Sequence, residues 1–93
     1  MTMELHRFRL RVETDTAAFW EADEQLQERW YYQQPGVTRR LTSVSDDGWW
    51  VSLVWWSATV QPPDTSPLLF FLSTSVLVDA STLSIERFSG RPD

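Results

Sequence analysis

The segment from Val37 to Ala58, VTRRLTSVSDDGWWVSLVWWSA, decides the fold, because it reads as two strands joined by a tight turn. The SDDG tetrapeptide at positions 45–48 is a hairpin signal, since Gly48 is able to take a positive φ. The pattern predicts one strand over Val37–Val44 and the next over Trp49–Ala58. The second of these is dense in aromatic and β-branched residues, so we expect it to lie centrally in a sheet.

Upstream of this hairpin, the sequence predicts a strand followed by a helix. Residues Leu5–Val12 alternate between apolar and basic side chains, which is typical of a half-buried strand. The TDT tripeptide at positions 14–16 predicts a helix start, because short oxygen-bearing side chains cap free amide groups. Apolar residues then recur at helical spacing from Phe19 to Trp30. We expect the helix to end at Pro35-Gly36.

Downstream of the hairpin, the prolines of Gln61–Thr65 predict a loop, and Ser66-Pro67 predicts the start of a second helix. That helix is expected to reach about Asp79, although the last residues before Asp79 are equally compatible with a strand. The final strand is predicted over Leu83–Phe88. This βαββαβ order predicts an α+β, ferredoxin-like domain over residues 1–93, with a four-stranded antiparallel sheet of order 4-1-3-2 and two helices on one face.

Composition narrows the classes of function. The 93 residues are 42% hydrophobic and 14% aromatic, carry a formal net charge of −5, and include neither Lys nor Cys. An acidic chain without a basic stripe is not expected to bind nucleic acid or membranes. The absence of Cys excludes disulfides and thiolate metal sites. Without a signal-peptide pattern or a long apolar run, we expect a soluble, cytoplasmic protein.

Sequence alternation also divides the sheet into two faces. When the more apolar side of each strand is assigned to the helices, the helix face contains Phe8, Leu10, Val12, Val37, Leu41, Trp49, Val51, Leu53, Trp55, Leu83 and Ile85. The other face then contains Arg7, Arg9, Arg11, Arg40, Thr42, Trp50, Ser52, Val54, Trp56, Ser84, Glu86 and Phe88. Such a mixture of guanidinium groups and indoles is typical of a covered surface. We therefore expect a homodimer that forms through this sheet face.

Two motifs support a family resemblance. The run QPGV at positions 34–37, followed by Arg39-Arg40, and the run DDGWWV at positions 46–51, continuing to Trp55-Trp56-Ser57, resemble the dimeric α/β-barrel superfamily. This group includes the antibiotic-biosynthesis monooxygenase-like proteins and many members without known activity. The resemblance implies a ferredoxin-like fold and a dimer. The chain has no Asn, a residue on which the cofactor-free oxygenases and haem-degrading members often rely.

The candidate ligand-binding residues combine cations, aromatic rings and the single histidine of the chain. They are Arg9, Arg11, Arg40, Trp50, Trp56, Tyr32 and His6. His6 is a candidate proton shuttle, with a structural role as an edge residue at the start of a strand as the alternative. The arginines offer forked donors to an anion, or else neutralise Glu86 and stack on tryptophans across the dimer.

Other kinds of site find no support in the sequence. A lone His does not define a metal site, and Asp46-Asp47 fits a turn better than a calcium site, so neither a metal nor a cofactor is expected. No residue pattern assigns a catalytic group.

Three functions remain open at this point. The first is an uncharacterised homodimeric barrel that binds a small aromatic or acidic molecule without a cofactor. The second is a cofactor-independent monooxygenase acting on a quinol-like or anthrone-like substrate, in which the substrate's own electrons reduce oxygen. The third is a module whose role is oligomerisation alone.

Overall fold

The computed structural model of the chain describes residues 1–57 and 77–90. Its elements are β1 (Thr2–Leu10), α1 (Thr16–Arg29), a 3₁₀ turn (Tyr31–Gln33), β2 (Val37–Val44), β3 (Trp50–Trp56) and β4 (Val78–Ser89). The predicted loop at Gln61–Thr65 and most of the predicted second helix lie outside the described residues. The expected end of that helix is wrong, because Val78 and Asp79 begin β4.

The described strands form a four-stranded antiparallel sheet with the order β2-β3-β1-β4. This is the predicted order 4-1-3-2 read from the opposite edge, and β3 lies centrally as expected. The bounds of β2 are those that the sequence predicts. The α+β, ferredoxin-like class of the fold is therefore confirmed.

The helix α1 begins where the sequence indicates and ends earlier. The Asp15 carboxylate accepts a hydrogen bond from the amide of Ala17 at 2.9 Å, which caps the first turn. The helix stops at Arg29, because Trp30 leaves the helical region with φ −123° and ψ −62°. The 3₁₀ turn that follows buries the side chain of Tyr31 and leaves Tyr32 exposed. None of the helices in the described residues is long and apolar enough to cross a membrane.

The hairpin between β2 and β3 has the predicted geometry. Gly48 has φ +85°, a conformation that L side chains rarely adopt. The amide of Gly48 donates to the carbonyl of Ser45 at 3.1 Å, and the amide of Ser45 donates to the carbonyl of Trp49 at 2.8 Å. This turn fixes the register of β2 against β3.

The strand register shows which side chains face α1. Residues directly opposite each other in antiparallel strands point to the same face of the sheet. His6 lies opposite Ser52, which lies opposite Thr42. In the next row, Glu4 lies opposite Val54, which lies opposite Arg40. These side chains are buried or half-buried on the side of the sheet that packs on α1.

The predicted face assignment is right for β1 within its bounds, for β4 and for Val37, which packs against the core. It is wrong for the rest of β2, after the irregularity between Val37 and Arg39, and for β3. Trp50, Ser52, Val54 and Trp56 face the helix, whereas Leu41 and the odd-numbered residues of β3 lie on the other side. The reason is that β3 is apolar on both sides and that the helix-facing side is partly polar. A rule that always puts the more apolar side inward therefore fails here. Val12 is also not in the core, because β1 ends at Leu10 and leaves Val12 93% exposed.

The described core lies between α1 and the sheet. It consists of Phe8, Phe19, Leu26, Tyr31, Trp50, Val54, Trp56 and Val78. Phe19 contacts both Phe8 and Trp50, with ring centroids 5.6 and 4.5 Å apart. This aromatic cluster anchors one end of α1 on the central strands and leaves the polar residues toward the other end.

Candidate ligand-binding site

A set of polar side chains is buried or half-buried on the side of the sheet that faces α1, and we call it the interior site. It comprises Glu4, His6, Arg40, Thr42, Ser52 and Trp56. His6, Ser52 and Thr42 form a row across three neighbouring strands. Directly opposite residues in antiparallel strands have Cβ atoms about 4.5–5.5 Å apart, so Ser52 is a close neighbour of both His6 and Thr42.

Glu4 orients His6 inside this site. The His6 Nε2 atom lies 3.0 Å from Glu4 Oε1, and the Arg87 Nε–H donates to Glu4 Oε2 at 3.0 Å. Burial raises the pKa of Glu4, but the hydrogen bond and charge of His6 and the hydrogen bond and charge of Arg87 together lower it below the ordinary 4.5. The carboxylate is thus held ionised, and its Oε1 atom fixes the orientation of the imidazole through Nε2.

Arg40 is fixed by an ion pair with the helix. Its Nη2 atom donates to Asp23 Oδ1 at 2.6 Å, and its Nη1 atom donates to Gln27 Oε1 at 3.4 Å. The guanidinium carbon also lies 4.7 Å from the centre of the Tyr31 ring. Because Arg40 and Asp23 are both buried, each depends on the other to compensate its charge.

Four buried polar atoms of the interior site have no hydrogen-bond partner within residues 1–57 and 77–90. They are Arg40 Nε, Thr42 Oγ1, Ser52 Oγ and Trp56 Nε1. An unmade hydrogen bond in a buried position costs about 1–3 kcal/mol, and native proteins contain few of them. Arg40 Nε–H and Trp56 Nε1–H are donors only, so what satisfies them is an acceptor such as a carbonyl, a hydroxyl or water.

The structure brings four of the seven predicted ligand-binding residues together on the helix-facing side. His6, Arg40 and Trp56 belong to the interior site, and Trp50 lies on the same side. The expectation that Arg40, Trp50 and Trp56 face the dimer partner is wrong, because the register turns them toward α1. His6 is not an edge residue, since β1 lies between β3 and β4. Trp50 packs with its ring centroid 5.0 Å from that of Trp20.

The other three predicted residues lie elsewhere. Arg9 is on the far side of the sheet, where its guanidinium lies 4.3 Å from the Trp49 ring centre and donates to the Asp47 carbonyl at 2.9 Å. Arg11 is exposed after the end of β1, and Tyr32 is 49% exposed beyond α1. None of these three side chains belongs to the interior site.

Sequence reasoning missed four residues that shape the site. Glu4 precedes the predicted strand, and Thr42 and Ser52 were predicted to face the partner. Asp23 is buried in α1 four residues after Phe19 and three before Leu26, so it occupies a position in the apolar stripe. An acidic residue at such a position is a signal for a buried cation on the facing strand, which here is Arg40.

The side of the sheet away from α1 is apolar and uncovered in the described chain, and we call it the open face. From β4 to β2, one row is Phe88, Met3, Trp55 and Arg39, and the next is Glu86, Leu5, Leu53 and Leu41. Leu41 is 42% exposed and Phe88 is 43% exposed. Beside these rows, Arg7 and Arg9 both stack on Trp49, at 3.8 and 4.3 Å.

Clusters of metal-ligating side chains are absent from the described residues. Within residues 1–57 and 77–90, no three His, Asp or Glu side chains come close enough together to hold a metal ion. Glu4 and His6 are neighbours, but their third partner is the cation Arg87.

The strand order defines the fold as ferredoxin-like. Two solved structures are similar to this chain. One is SnoaB, a cofactor-independent oxygenase from Streptomyces nogalater, with a TM-score of 0.68, 18% identity, and coverage of 99% of this chain and 94% of that one. The other is Rv0793 from Mycobacterium tuberculosis, with a TM-score of 0.69, 14% identity, and coverage of 99% and 96%.

These likenesses confirm the predicted ferredoxin-like fold. At such low identities, the likeness to SnoaB and Rv0793 concerns the fold alone. No protein-family model and no curated protein sequence matches the chain.

Proposed function

We propose that this protein binds a small aromatic molecule with oxygen substituents in the interior site. The observation that carries the proposal is the set of four buried polar atoms without a partner in the described chain. A ligand with hydroxyl or carbonyl oxygens satisfies donors of this kind, and indole rings provide flat apolar contacts.

The charges of the interior site favour a neutral ligand over an acid. The charge of Arg40 is compensated by Asp23, and that of Arg87 by Glu4. A carboxylate placed among these groups finds no uncompensated cation there, so its desolvation is not offset. Uncharged hydroxyl and carbonyl groups avoid that cost.

Binding is tested by thermal shift and isothermal titration with two matched sets of compounds. One set contains dihydroxynaphthalenes and hydroxyanthraquinones, and the other contains naphthoic and benzoic acids. We expect the neutral set to raise the melting temperature and the Trp56→Phe variant, which lacks the indole N–H, to reduce the affinity. If no compound of either set binds, or if only the acids bind, the proposal is wrong.

A second candidate function is a cofactor-independent oxygenase acting on an anthrone-like or quinol-like substrate. The Glu4–His6 pair favours it, because a carboxylate that orients a histidine is a common arrangement for a general base. The likeness of fold to SnoaB supports the same candidate. In this function, His6 removes a proton from the substrate and leaves an electron-rich anion that reacts with O₂.

The reaction balances without a cofactor. For an anthrone, the CH₂ group becomes a carbonyl, the substrate supplies the four electrons that reduce O₂, and the second oxygen atom leaves as water. The enzymatic rate is measured as oxygen uptake by pure protein with 1,8-dihydroxyanthrone in air, after the spontaneous rate without protein is subtracted. We expect His6→Gln to lower the enzymatic rate about 100-fold or more. A rate in His6→Gln equal to that of the unmodified protein would exclude this role for His6.

We also propose that the open face is covered by a second copy of the chain. The support is the contiguous apolar surface of the Leu5, Leu53 and Leu41 row together with Trp55 and Phe88. Exposed apolar patches of this kind mark protein–protein contacts, and a face-to-face pair around a two-fold axis covers the same residues on both copies. Sedimentation velocity between 1 and 100 μM is expected to show a dimer; a monomer throughout is the contrary result.

A further inference from the structure

A cleft beside the edge strand reaches the interior site. It measures about 320 Å³ and is lined by Trp20, Asp23, Glu24 and Gln27 of α1 and by Arg40, Leu41 and Thr42 of β2. The helix residues recur at spacings of three and four, so they form one wall of the cleft. Because β2 is at the edge of the sheet, this cleft opens at the side of the molecule, where it extends around β2 to Leu41.

Two residues belong to both the cleft and the interior site. Thr42 lines the cleft and lies opposite Ser52, which lies opposite His6, so one row of side chains leads from the cleft to the histidine. Arg40 Nε and Thr42 Oγ1 are two of the buried atoms that have no hydrogen-bond partner among the described residues.

The walls of the cleft limit the ligand chemistry. Asp23 compensates the charge of Arg40, and Glu24 adds a further carboxylate. An anionic group is therefore repelled, while a neutral oxygen is able to accept hydrogen bonds from Arg40 and Thr42. The indole of Trp20 is 42% exposed and offers a flat apolar surface at the same place.

We propose that the cleft between α1 and β2 is the entrance and outer subsite of the interior site. It takes a neutral hydroxyl or carbonyl group of an aromatic ligand through Arg40 Nε–H and the Thr42 hydroxyl. This inference rests on the proposed binding function and adds the direction of entry, the residues that hold the outer end and the preference for an uncharged group.

The test uses ¹⁵N-labelled full-length protein and 1,5-dihydroxynaphthalene under nitrogen, with the indole N–H signals assigned by Trp→Phe variants. Trp20 reports on the cleft, Trp56 on the interior site and Trp55 on the open face. We expect Trp20 and Trp56 to shift together with a single dissociation constant while Trp55 does not shift. Thr42→Val is expected to raise that constant about fivefold to tenfold, and the chemically identical change Thr38→Val, on the exposed part of the same strand, to leave it within twofold.

A second experiment blocks the cleft with a bulky label and measures the rate of ligand association. Because the chain has no Cys, single Glu24→Cys and Glu21→Cys variants can each be labelled with a bulky maleimide. The label at position 24, in the cleft wall, is expected to slow association at least tenfold, and the label at position 21, elsewhere on α1, to have no effect.

The outcomes separate this inference from the proposed function. If the indole signal of Trp56 shifts and that of Trp20 does not, the proposal that the cleft is the entrance is wrong, while binding in the interior site still holds. Equal association rates for the two labelled proteins lead to the same conclusion. Absence of any indole shift overturns both.

Discussion

The two faces of the sheet differ in a way that reverses the usual arrangement of a small protein. On the helix-facing side, charged and hydroxyl-bearing residues such as Glu4, Arg40 and Ser52 are buried. On the open face, Leu41 and Phe88 are exposed. Both arrangements cost free energy in an isolated chain, because buried polar groups lose water and exposed apolar groups order it. The difference is what supports the two proposals, a ligand on one face and a second copy of the chain on the other.

The two faces also hold their arginines differently. Arg40 is neutralised by a buried carboxylate at 2.6 Å. Arg7 and Arg9 instead stack on the ring of Trp49. Stacking on an indole stabilises a guanidinium without neutralising it, so these two arginines remain available to acidic groups of a second copy.

The largest expected effect is the loss of stability when the buried ion pair between Arg40 and Asp23 is broken. Asp23→Ala leaves the Arg40 charge buried without its partner and is expected to lower the free energy of unfolding by about 3–5 kcal/mol. Urea denaturation followed by tryptophan fluorescence measures it. Glu21→Ala, on the exposed side of the same helix, is the control and should change stability by about 0.5 kcal/mol or less. A loss below about 1 kcal/mol for Asp23→Ala would mean that Arg40 reaches water.

The next largest effect is the weakening of the proposed dimer by a charge on the open face. Leu53→Asp puts a carboxylate at the centre of the proposed dimer contact and is expected to raise the dimer dissociation constant at least 100-fold, since an unpaired buried charge costs several kcal/mol. Analytical ultracentrifugation measures it. Ser43→Asp, near the edge of the same face, should have a much smaller effect. Equal dimerisation of wild type and Leu53→Asp would refute the proposed interface.

A third expectation follows from the lowered pKa of Glu4. Glu4→Gln is expected to cost about 1.5–3 kcal/mol near pH 7, the usual range for a hydrogen bond to a charged group. Because the folded-state pKa lies below the unfolded value near 4.5, the carboxylate's contribution is present above that pH and is lost as the pH falls through the folded pKa. The stability difference between wild type and Glu4→Gln should therefore shrink below pH 4.5.

The difference in stability between wild type and Glu4→Gln at low pH reports on Glu4 and not on the other carboxylates. The hydrogen bond from Ser45 lowers the pKa of Asp47, and the hydrogen bonds from Ser81 lower that of Asp79. Both groups are present in wild type and variant, so their contributions cancel in the difference. A difference that is independent of pH between 7 and 3 would show that Glu4 is not held ionised.

The smallest expected effect is a gain in stability. Ser52→Ala removes a buried hydroxyl that has no partner in the described chain, so it is expected to raise the free energy of unfolding by about 1 kcal/mol and the melting temperature by roughly 4–8 °C. The same variant should weaken binding of 1,5-dihydroxynaphthalene. Ser43→Ala, on the open face, is the matched control. Destabilisation by Ser52→Ala would indicate a structural role for the hydroxyl.

The sequence predicted the strands better than their faces. The bounds of β2 and the hairpin at Gly48 follow from local turn chemistry, and the strand order follows from the sequence of elements. The face of β3 does not, because Trp49 to Trp56 is apolar on both sides. Its orientation depends on the register against β1, which is a long-range property of the fold.

The site was accessible from the sequence only in part. His6, Arg40 and Trp56 were chosen for their chemistry, and the structure places them on one side of the sheet. Their neighbours Glu4 and Ser52 were not chosen, because a carboxylate or a hydroxyl in a strand is informative only once the residue opposite is known.

The central claim is that the space between α1 and the sheet binds a ligand while the open face does not. A crystal structure of the protein with 1,5-dihydroxynaphthalene tests it most directly. The expected result is density for the two rings beside Trp56, with an oxygen atom within hydrogen-bonding distance of Ser52 or Thr42. A structure in which the probe occupies only the open face, or in which protein side chains fill the space around Ser52 and satisfy its hydroxyl, would contradict the claim.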